Sequence, residues 1–228
     1  MFIFDGWGAV LNKTQELVST NPSREIAIVT TSNSLKESIP TFQQKGYTSI
    51  EIKDNDTGKK YPAPNAFIDI NGLENIKNYT LTLKKMENGK ENEYTVEHSE
   101  SGEYKFSKNG QEDSVATDTA TKFKFLITKK DEIDVNTWNL ITSGSIDLGK
   151  YISDRGWETE FKNWVAQEQR KKDNNREENI RNIYETTAAP IIFQQNQQML
   201  KEDQADVTAY NKESAEKGKK NRDDDNRA

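Results

Sequence analysis

The sequence predicts a mainly β N-terminal domain, an antiparallel β-sandwich, followed by a long α-helical arm with coiled-coil-like character. Before residue 154, apolar and polar residues alternate along short segments, as in strands, whose neighbouring side chains point to opposite faces. Three Asn-Gly pairs, which readily form tight hairpin turns, lie in the same region. No Gly occurs between Trp157 and Lys217, and this charged stretch is typical of a long helix or of disorder.

Short alternating segments place the strands. An unbroken apolar run at 26–29 suits a strand that is buried on both faces. Further strands are predicted at 50–52, 79–83, 94–96, 104–106 and 123–127, with later candidates at 133–140 and 146–148. Residues 79–127 therefore form an antiparallel meander with one apolar face. A second layer must cover that face, which predicts a sandwich of about seven to nine strands.

Turn residues separate these strands. Hairpin turns are predicted at Asn71-Gly72, Asn88-Gly89 and Asn109-Gly110, and a further turn at Gly102. Pro62 and Pro64 favour a loop or an edge strand. Residues 35–45 have the apolar spacing of a helix, but Pro40 interrupts it, so a turn or a short helix is expected there.

The composition changes near residue 154 and divides the chain into three parts. Residues 1–153 form the predicted antiparallel β-sandwich. Residues 154–189 form an amphipathic helix, and Asp154 is a candidate N-cap. Residues 190–228 form a second helix and a charged tail after a kink at Pro190, because proline interrupts a helix interior.

Two apolar groups on the arm are predicted to form interfaces. The first is a stripe at helical spacing that docks on the β-domain or on sister chains; its members are Trp157, Phe161, Trp164 and Val165. The second is a contact patch further along the arm, formed by Ile180, Ile183, Tyr184, Ile191, Ile192 and Phe193. Short apolar groups separated by polar stretches suit a helix bundle shared with copies of the chain or with a different subunit.

Composition excludes several classes of protein. The chain has no Cys and one His, His98, which excludes disulfides, thiolate metal sites and His-rich metal sites. The net charge of −6 argues against a nucleic acid partner. No apolar run approaches the roughly 20 residues of a membrane span, and the first residues lack the features of a secretory signal. We expect no catalytic residue, cofactor or metal ion.

A few local patterns allow a second interpretation. His98 could act as a general base oriented by Glu97 or Glu100, although an ordinary surface His is the better interpretation. Residues 54–58 resemble a calcium loop, but Gly58 and Asn65 occupy ligand positions of the EF-hand, so a polar turn is expected. Aromatic residues could stack on a sugar, although they are more often part of a core; the candidates are Trp7, Tyr47, Tyr61 and Trp138.

The order of these features resembles a known family. A short apolar strand and Asn12-Lys13-Thr14 open the chain, residues 118–127 (DTATKFKFLI) end the β-domain, and a long charged helix with aromatic residues at its start follows. This layout resembles the N-terminal region of upper baseplate proteins of tailed phages that infect Gram-positive hosts. The resemblance implies a β-sandwich joined to a helical linker, a trimer, and attachment of receptor-binding proteins to the tail tip.

The predicted function is that of a non-enzymatic virion structural protein in tail or baseplate assembly. Its expected partners are other virion proteins and copies of itself, with a trimer favoured, and its expected location is the virion, assembled in the host cytoplasm. One alternative is a carbohydrate-binding host-adhesion module with a helical stalk, whose partner is a host glycan. Another is a collar, neck or head-surface protein.

Overall fold

The computed structural model describes residues 16–19, 21–62 and 70–225. Six strands in this part of the chain are β1 (Thr48–Asp54), β2 (Lys60–Pro62), β3 (Tyr79–Glu87), β4 (Lys90–His98), β5 (Tyr104–Lys108) and β6 (Gln111–Glu112). The helices are α1 (Pro22–Ser32), α2 (Leu35–Gln44), α3 (Ile70–Leu73), α4 (Ser114–Thr128), α5 (Val135–Thr142), α6 (Leu148–Asp154), α7 (Glu158–Ile183) and α8 (Ala189–Asp225). A 3₁₀ turn (Lys130–Glu132) precedes α5, and a π-helical turn (Tyr184–Ala188) joins α7 to α8.

The six strands form one antiparallel sheet in the order β2-β1-β3-β4-β5-β6. Two of the predicted Asn-Gly turns are confirmed: both residues of Asn88-Gly89, between β3 and β4, and of Asn109-Gly110, between β5 and β6, have positive φ, as a type I′ turn requires. Gly102 also has positive φ in the turn before β5. The antiparallel meander is therefore confirmed from residue 79 to residue 112.

Helices cover the apolar face of this sheet, so the predicted sandwich is not confirmed. Alternate residues of the central strands are buried, among them Leu81 and Leu83 of β3. They share one core with Ile26 of α1, Phe42 of α2 and Ala120 of α4. In the described residues, the second layer that one-sided strands require is helical, which makes the fold α+β.

The strand predicted at 26–29 is wrong, because these residues lie in α1. Asn21 caps the helix by accepting a hydrogen bond from the Arg24 amide (2.8 Å), and Pro22 occupies the first turn, where proline is well tolerated. Ile26 faces the core under the sheet, whereas Ile28 faces a second apolar core. A helix between two cores is apolar on several sides, and a short buried run of this kind looks like a buried strand.

The strand predictions at 123–127 and 133–140 are also wrong. Residues 123–127 belong to α4, where Asp113 caps the helix by accepting from the Ala116 amide (3.1 Å). Residues 135–142 form α5. At 146–148, Ile146 makes an isolated bridge to Leu17 and α6 begins at Leu148. Asn71-Gly72 lies in the short helix α3 and not in a hairpin.

The ambiguous segment at 35–45 is the helix α2. Ser34 and Glu37 form a reciprocal capping box at its start, which satisfies two otherwise unpaired amides. Pro40 lies inside the helix and does not end it. Pro62 ends the edge strand β2, as expected of a proline. The opening apolar strand, Trp7, Asn12-Lys13-Thr14, Pro64 and Asn65 lie outside the described residues.

Contacts divide the chain into two compact units, Met1–Val165 and Ala166–Ala228. The boundary lies twelve residues after the predicted one at 153/154. The long helical segment at the C-terminal end is confirmed, although its coiled-coil character remains a prediction. In the second unit, none of the described side chains is buried.

Candidate functional site

The three aromatic residues of the first predicted stripe pack on their own compact unit, and its fourth member, Val165, is half-buried. Phe125 of α4 is 2% exposed, and three aromatic rings surround it. The ring centroids of Phe161 and Trp164 lie 5.3 and 5.9 Å from that of Phe125, and the centroid of Trp157 lies 6.4 Å away. The sequence left open whether this stripe docks on the N-terminal domain or on sister chains. In the structure, its aromatic rings pack on the first unit of the same chain. We call Trp157, Phe161 and Trp164 the aromatic anchor.

Cations enclose the most buried member of the aromatic anchor. The Arg155 guanidinium lies 4.2 Å and the Lys129 ammonium 5.3 Å from the centroid of the Trp157 ring. Arg155 also donates to the Tyr151 hydroxyl (3.0 Å) and to the Glu132 carbonyl (3.1 Å), and Lys129 pairs with Glu160 of α7. Cation–π contacts add to the apolar packing, so the start of α7 is fixed both by aromatic rings and by charge.

The second predicted patch remains exposed within residues 166–225. Its members and the apolar residues after it are exposed over 45 to 71% of their surface. Leaving large apolar side chains in water forfeits about 1.5–3 kcal/mol for each one that could be buried. We name these ten residues the C-terminal helical surface: Ile180, Ile183, Tyr184, Ile191, Ile192, Phe193, Met199, Leu200, Val207 and Tyr210.

Pro190 does not break the helical segment as predicted. It follows the π-helical turn and lies at the second position of α8. Proline has no amide proton and its ring collides with the carbonyl four residues earlier, and the wider π turn relieves this conflict. The Ala189 amide donates to the Tyr184 carbonyl, five residues back. The Thr186 hydroxyl donates to the Asn182 carbonyl (2.7 Å), and the Thr187 hydroxyl donates to the Ile183 carbonyl.

The π turn also aligns the apolar residues on its two sides. At about 100° per residue, Ile192 would lie roughly 120° around a regular helix from Ile180. A π turn accommodates one extra residue, which removes about 100° of that rotation. Ile192, Met199 and Tyr210 then lie within about 20° of Ile180. This alignment is not predictable from the sequence, because neither Pro190 nor the two threonines before it signal a π turn.

Among the other candidates, His98 packs against neighbouring aromatic rings and pairs with a backbone carbonyl. Its ring stacks on Tyr79 (centroids 5.0 Å apart) and contacts Tyr104 (4.6 Å), and its Nδ1 pairs with the Lys77 carbonyl. Glu97 precedes it in β4 and therefore points to the opposite face of the sheet. This geometry holds the imidazole in place without orienting it by the Glu97 carboxylate.

The segment 54–58 forms the polar turn that the sequence predicts. The Asp54 carboxylate accepts from the amides of Asp56 (2.9 Å) and Thr57 (3.2 Å), and the Asn78 amide donates to the Asp56 carboxylate (2.7 Å). The carboxylates of Asp54 and Asp56 thus already accept hydrogen bonds from amide groups of the protein. Among the residues that the structure describes, no three His, Asp or Glu side chains are grouped closely enough to hold a metal ion.

Three of the four candidate sugar-stacking aromatics lie in the described part of the chain. Tyr47 is buried and Tyr61 half-buried. Trp138 lines an open cleft of about 500 Å³ that is bounded by α1, α2, α4 and α5. Phe123 stacks on the Trp138 ring (centroids 5.8 Å apart), and the Lys130 ammonium lies 5.4 Å from its centroid. Other side chains therefore already contact the indole.

Two carboxylates, the buried Glu25 and the half-buried Glu87, join elements of the first unit and carry no signal in the sequence. Glu25 of α1 pairs with Lys45 (3.0 Å) and Lys85 (3.6 Å), and burial, together with the Glu25 charge, raises the pKa of Tyr47 far above its usual range. Glu87 accepts hydrogen bonds from Tyr94 and Asn92. The Glu87 carboxylate thus has hydrogen-bond donors on the neighbouring strand, whereas Glu25 Oε1 has no hydrogen-bond donor among the described residues and is neutralised by the two lysines.

Comparison of the chain with protein-family models, with curated proteins and with solved structures gave no match. Within the described ranges, no helix combines the length and the apolar character that crossing a membrane requires.

Proposed function

We propose that this chain is a non-enzymatic structural subunit of a tailed-phage virion, in the tail or baseplate, and that it assembles through its C-terminal helical surface. The observation that carries the proposal is the exposure of ten large apolar side chains on helices whose own unit buries none of them. Isolated helices of polar composition are marginally stable in water, so contact with other helices stabilises this segment. The resemblance to upper baseplate proteins supplies the class of assembly.

Two features of the chain suit this role. The aromatic anchor fixes the first turns of α7 to a folded unit, and α8 alone is 37 residues long, about 55 Å at 1.5 Å per residue. A helix of this length with exposed apolar side chains offers a neighbouring subunit an extended contact. The proposed partners are other virion proteins, including receptor-binding subunits, and the proposed location is the virion.

The test uses phage particles produced from the genome that encodes this chain. We expect purified particles to contain the chain at a fixed copy number by quantitative mass spectrometry, and antibodies against it to label the tail in electron micrographs. Labelling at the neck or head would favour the collar or head-surface alternative over the baseplate. Absence of the chain from particles in which the other tail proteins are detected would overturn the proposal.

A matched pair of variants tests the surface itself. Ile192→Asp places a charge on the C-terminal helical surface and should reduce incorporation into particles by about tenfold or more, as loss of a central apolar contact does. Gln197→Asp, about 140° away around the same helix, should leave incorporation unchanged. Equal incorporation of the two variants would contradict assembly through this surface.

The carbohydrate-binding alternative depends on the cleft beside Trp138. Phe123 and Lys130 already contact the indole, so a stacked sugar would have to displace one of them. This makes the alternative the weaker of the two. A glycan array with the full chain separates them, because specific binding that Trp138→Ala abolishes would favour the adhesion module.

A further inference from the structure

We infer that Asn88 is a site of spontaneous covalent modification, at which the side-chain amide becomes a carboxylate through a succinimide, whereas Asn109 is protected from this reaction. The two asparagines occupy equivalent positions of two Asn-Gly turns. Each has a φ of 51°, and the glycines that follow, Gly89 and Gly110, have φ values of 77° and 78°. The dipeptide and its backbone conformation are therefore matched, and the two sites differ in what each side chain contacts.

The reaction needs only the dipeptide and water. Glycine has no Cβ beside its amide nitrogen, so this nitrogen can approach the preceding side chain without steric hindrance. The Gly89 nitrogen forms a bond to Cγ of Asn88, the bond from Cγ to Nδ2 breaks, and the proton of the Gly89 amide leaves with Nδ2 as ammonia. Water then opens the succinimide at either carbonyl, which gives aspartate or isoaspartate without an oxidant or a reductant.

The side chain of Asn88 is free to enter this reaction. Asn88 and Gly89 are both exposed, and the Asn88 side chain makes no hydrogen bond to any residue that the structure describes. The last cross-strand pair before the turn is Glu87 with Lys90, so the strands β3 and β4 alone hold the turn. Rotation of the Asn88 side chain toward the Gly89 nitrogen therefore breaks no side-chain contact.

The side chain of Asn109 is also exposed, but it is bound at both ends. Its Oδ1 accepts from the Glu93 amide (3.0 Å), and its Nδ2 donates to Oδ1 of Asn92 (2.9 Å). The Asn109 backbone amide also donates to the Glu93 carbonyl (2.8 Å), so this turn is attached to β4. Turning Cγ toward the Gly110 nitrogen breaks both side-chain bonds. At about 1 kcal/mol for each bond, Asn109 should react at least tenfold more slowly than Asn88.

The two products affect the hairpin differently. Aspartate keeps the turn, because Asp-Gly also favours type I′ geometry. Isoaspartate continues the chain through its side-chain carbon and so lengthens the backbone of the turn by one methylene. Loop length fixes the register of a hairpin, and the longer loop disrupts the pairing of Glu87 with Lys90. The Glu87 carboxylate, which binds Tyr94 and Asn92, is then displaced from β4.

Ageing of the folded full chain in mildly alkaline buffer tests the inference. Samples taken over time are digested and mapped by mass spectrometry, and labelling by a protein-isoaspartate methyltransferase identifies the isoaspartate. We expect the Asn88 peptide to be modified at least tenfold faster than the Asn109 peptide. In urea the two rates should be similar, because the hydrogen bonds that hold Asn109 are absent from the unfolded chain.

Two variants separate the hydrogen bonds of Asn109 from other influences. Asn92→Ala removes the acceptor of the Asn109 amide and should raise the rate at Asn109 by about fivefold, with circular dichroism confirming that the variant stays folded. Asn88→Gln is the matched control. A glutamine closes the corresponding larger ring far more slowly, so modification at residue 88 should be lost while the rate at Asn109 stays unchanged.

Three results would overturn the inference. The first is an equal rate at Asn88 and Asn109 in the folded chain. The second is a folded chain in which Asn88 stays intact for as long as the chain in urea needs to react fully. The third is the same difference between the two sites in urea, because neighbouring residues and not hydrogen bonds would then cause it. None of these results bears on the presence of the chain in phage particles, so the proposed function is tested separately.

Discussion

Replacing Phe125 with Ala should weaken the packing of the start of α7 on the rest of the first unit. Phe125 is 2% exposed and contacts all three rings of the aromatic anchor. Truncating a buried Phe to Ala typically lowers the free energy of unfolding by about 3–5 kcal/mol, because transfer free energy is lost and a cavity remains. For a unit of this size, each kcal/mol lowers the melting temperature by about 2–4 °C, so we expect a decrease of roughly 10 °C.

Urea unfolding followed by tryptophan fluorescence is a suitable assay, because Trp157 and Trp164 both lie against Phe125. Ile127→Ala is the matched control. Ile127 belongs to the same helix but is 41% exposed, so the free energy of unfolding should change by less than about 1 kcal/mol. The fluorescence of the folded Phe125→Ala variant should also shift as its indoles gain contact with water.

A particular result would refute this reasoning. If the unfolding free energies of Phe125→Ala and Ile127→Ala differ by less than about 1 kcal/mol, the aromatic anchor does not fix α7 to the first unit.

Two further predictions concern single contacts in the first unit. Asp113→Ala removes the N-cap of α4 and should lower the free energy of unfolding by about 1 kcal/mol, measured by urea unfolding, with Asp113→Asn expected to retain most of the stability. Burial raises the pKa of Glu87, but hydrogen bonds from Tyr94 and Asn92 and the charge of Lys108 outweigh it and hold this pKa below its usual range. A lowered folded pKa gives stability that is present above the unfolded pKa and is lost as the pH falls, so Glu87→Gln should reduce the loss of stability between about pH 5 and pH 3. An unchanged acid dependence in Glu87→Gln would contradict that assignment.

Local signals in the sequence predicted the meander, because they depend on neighbouring residues alone. Residues 79–112 alternate between apolar and polar, and each of the Asn-Gly turns at 88–89 and 109–110 provides two positions with positive φ. The predicted strands at 26–29 and 123–127 failed for a tertiary reason. Residues 26–29 lie between the core under the sheet and a second core, whereas Phe123, Phe125 and Leu126 all belong to that second core. In both segments, burial on several sides replaced the one-sided pattern of a surface helix.

The candidate site also contains features that the sequence predicts and features that it does not. Helical spacing identified the aromatic anchor and the exposed patch, because periodicity along a helix depends on sequence. Phe125, on which the anchor packs, lies in the segment 123–127, whose alternating pattern predicts a strand. Nothing in the sequence links Phe125 to Trp164. The π turn before Pro190 is likewise seen only in the structure, because proline in a long helix can be accommodated by a kink, a break or a wider turn.

The sequence by itself determined the antiparallel hairpins, the long charged helical segment and the exclusion of thiolate chemistry. These follow from alternation, turn residues and composition, which act over a few residues. Only the three-dimensional structure decided that helices cover the sheet, that the aromatic anchor belongs to the first unit, and that Ile192, Met199 and Tyr210 lie within about 20° of Ile180 around the helix. Those features depend on contacts between residues far apart in the chain and on one turn of altered helical pitch, neither of which a local pattern specifies.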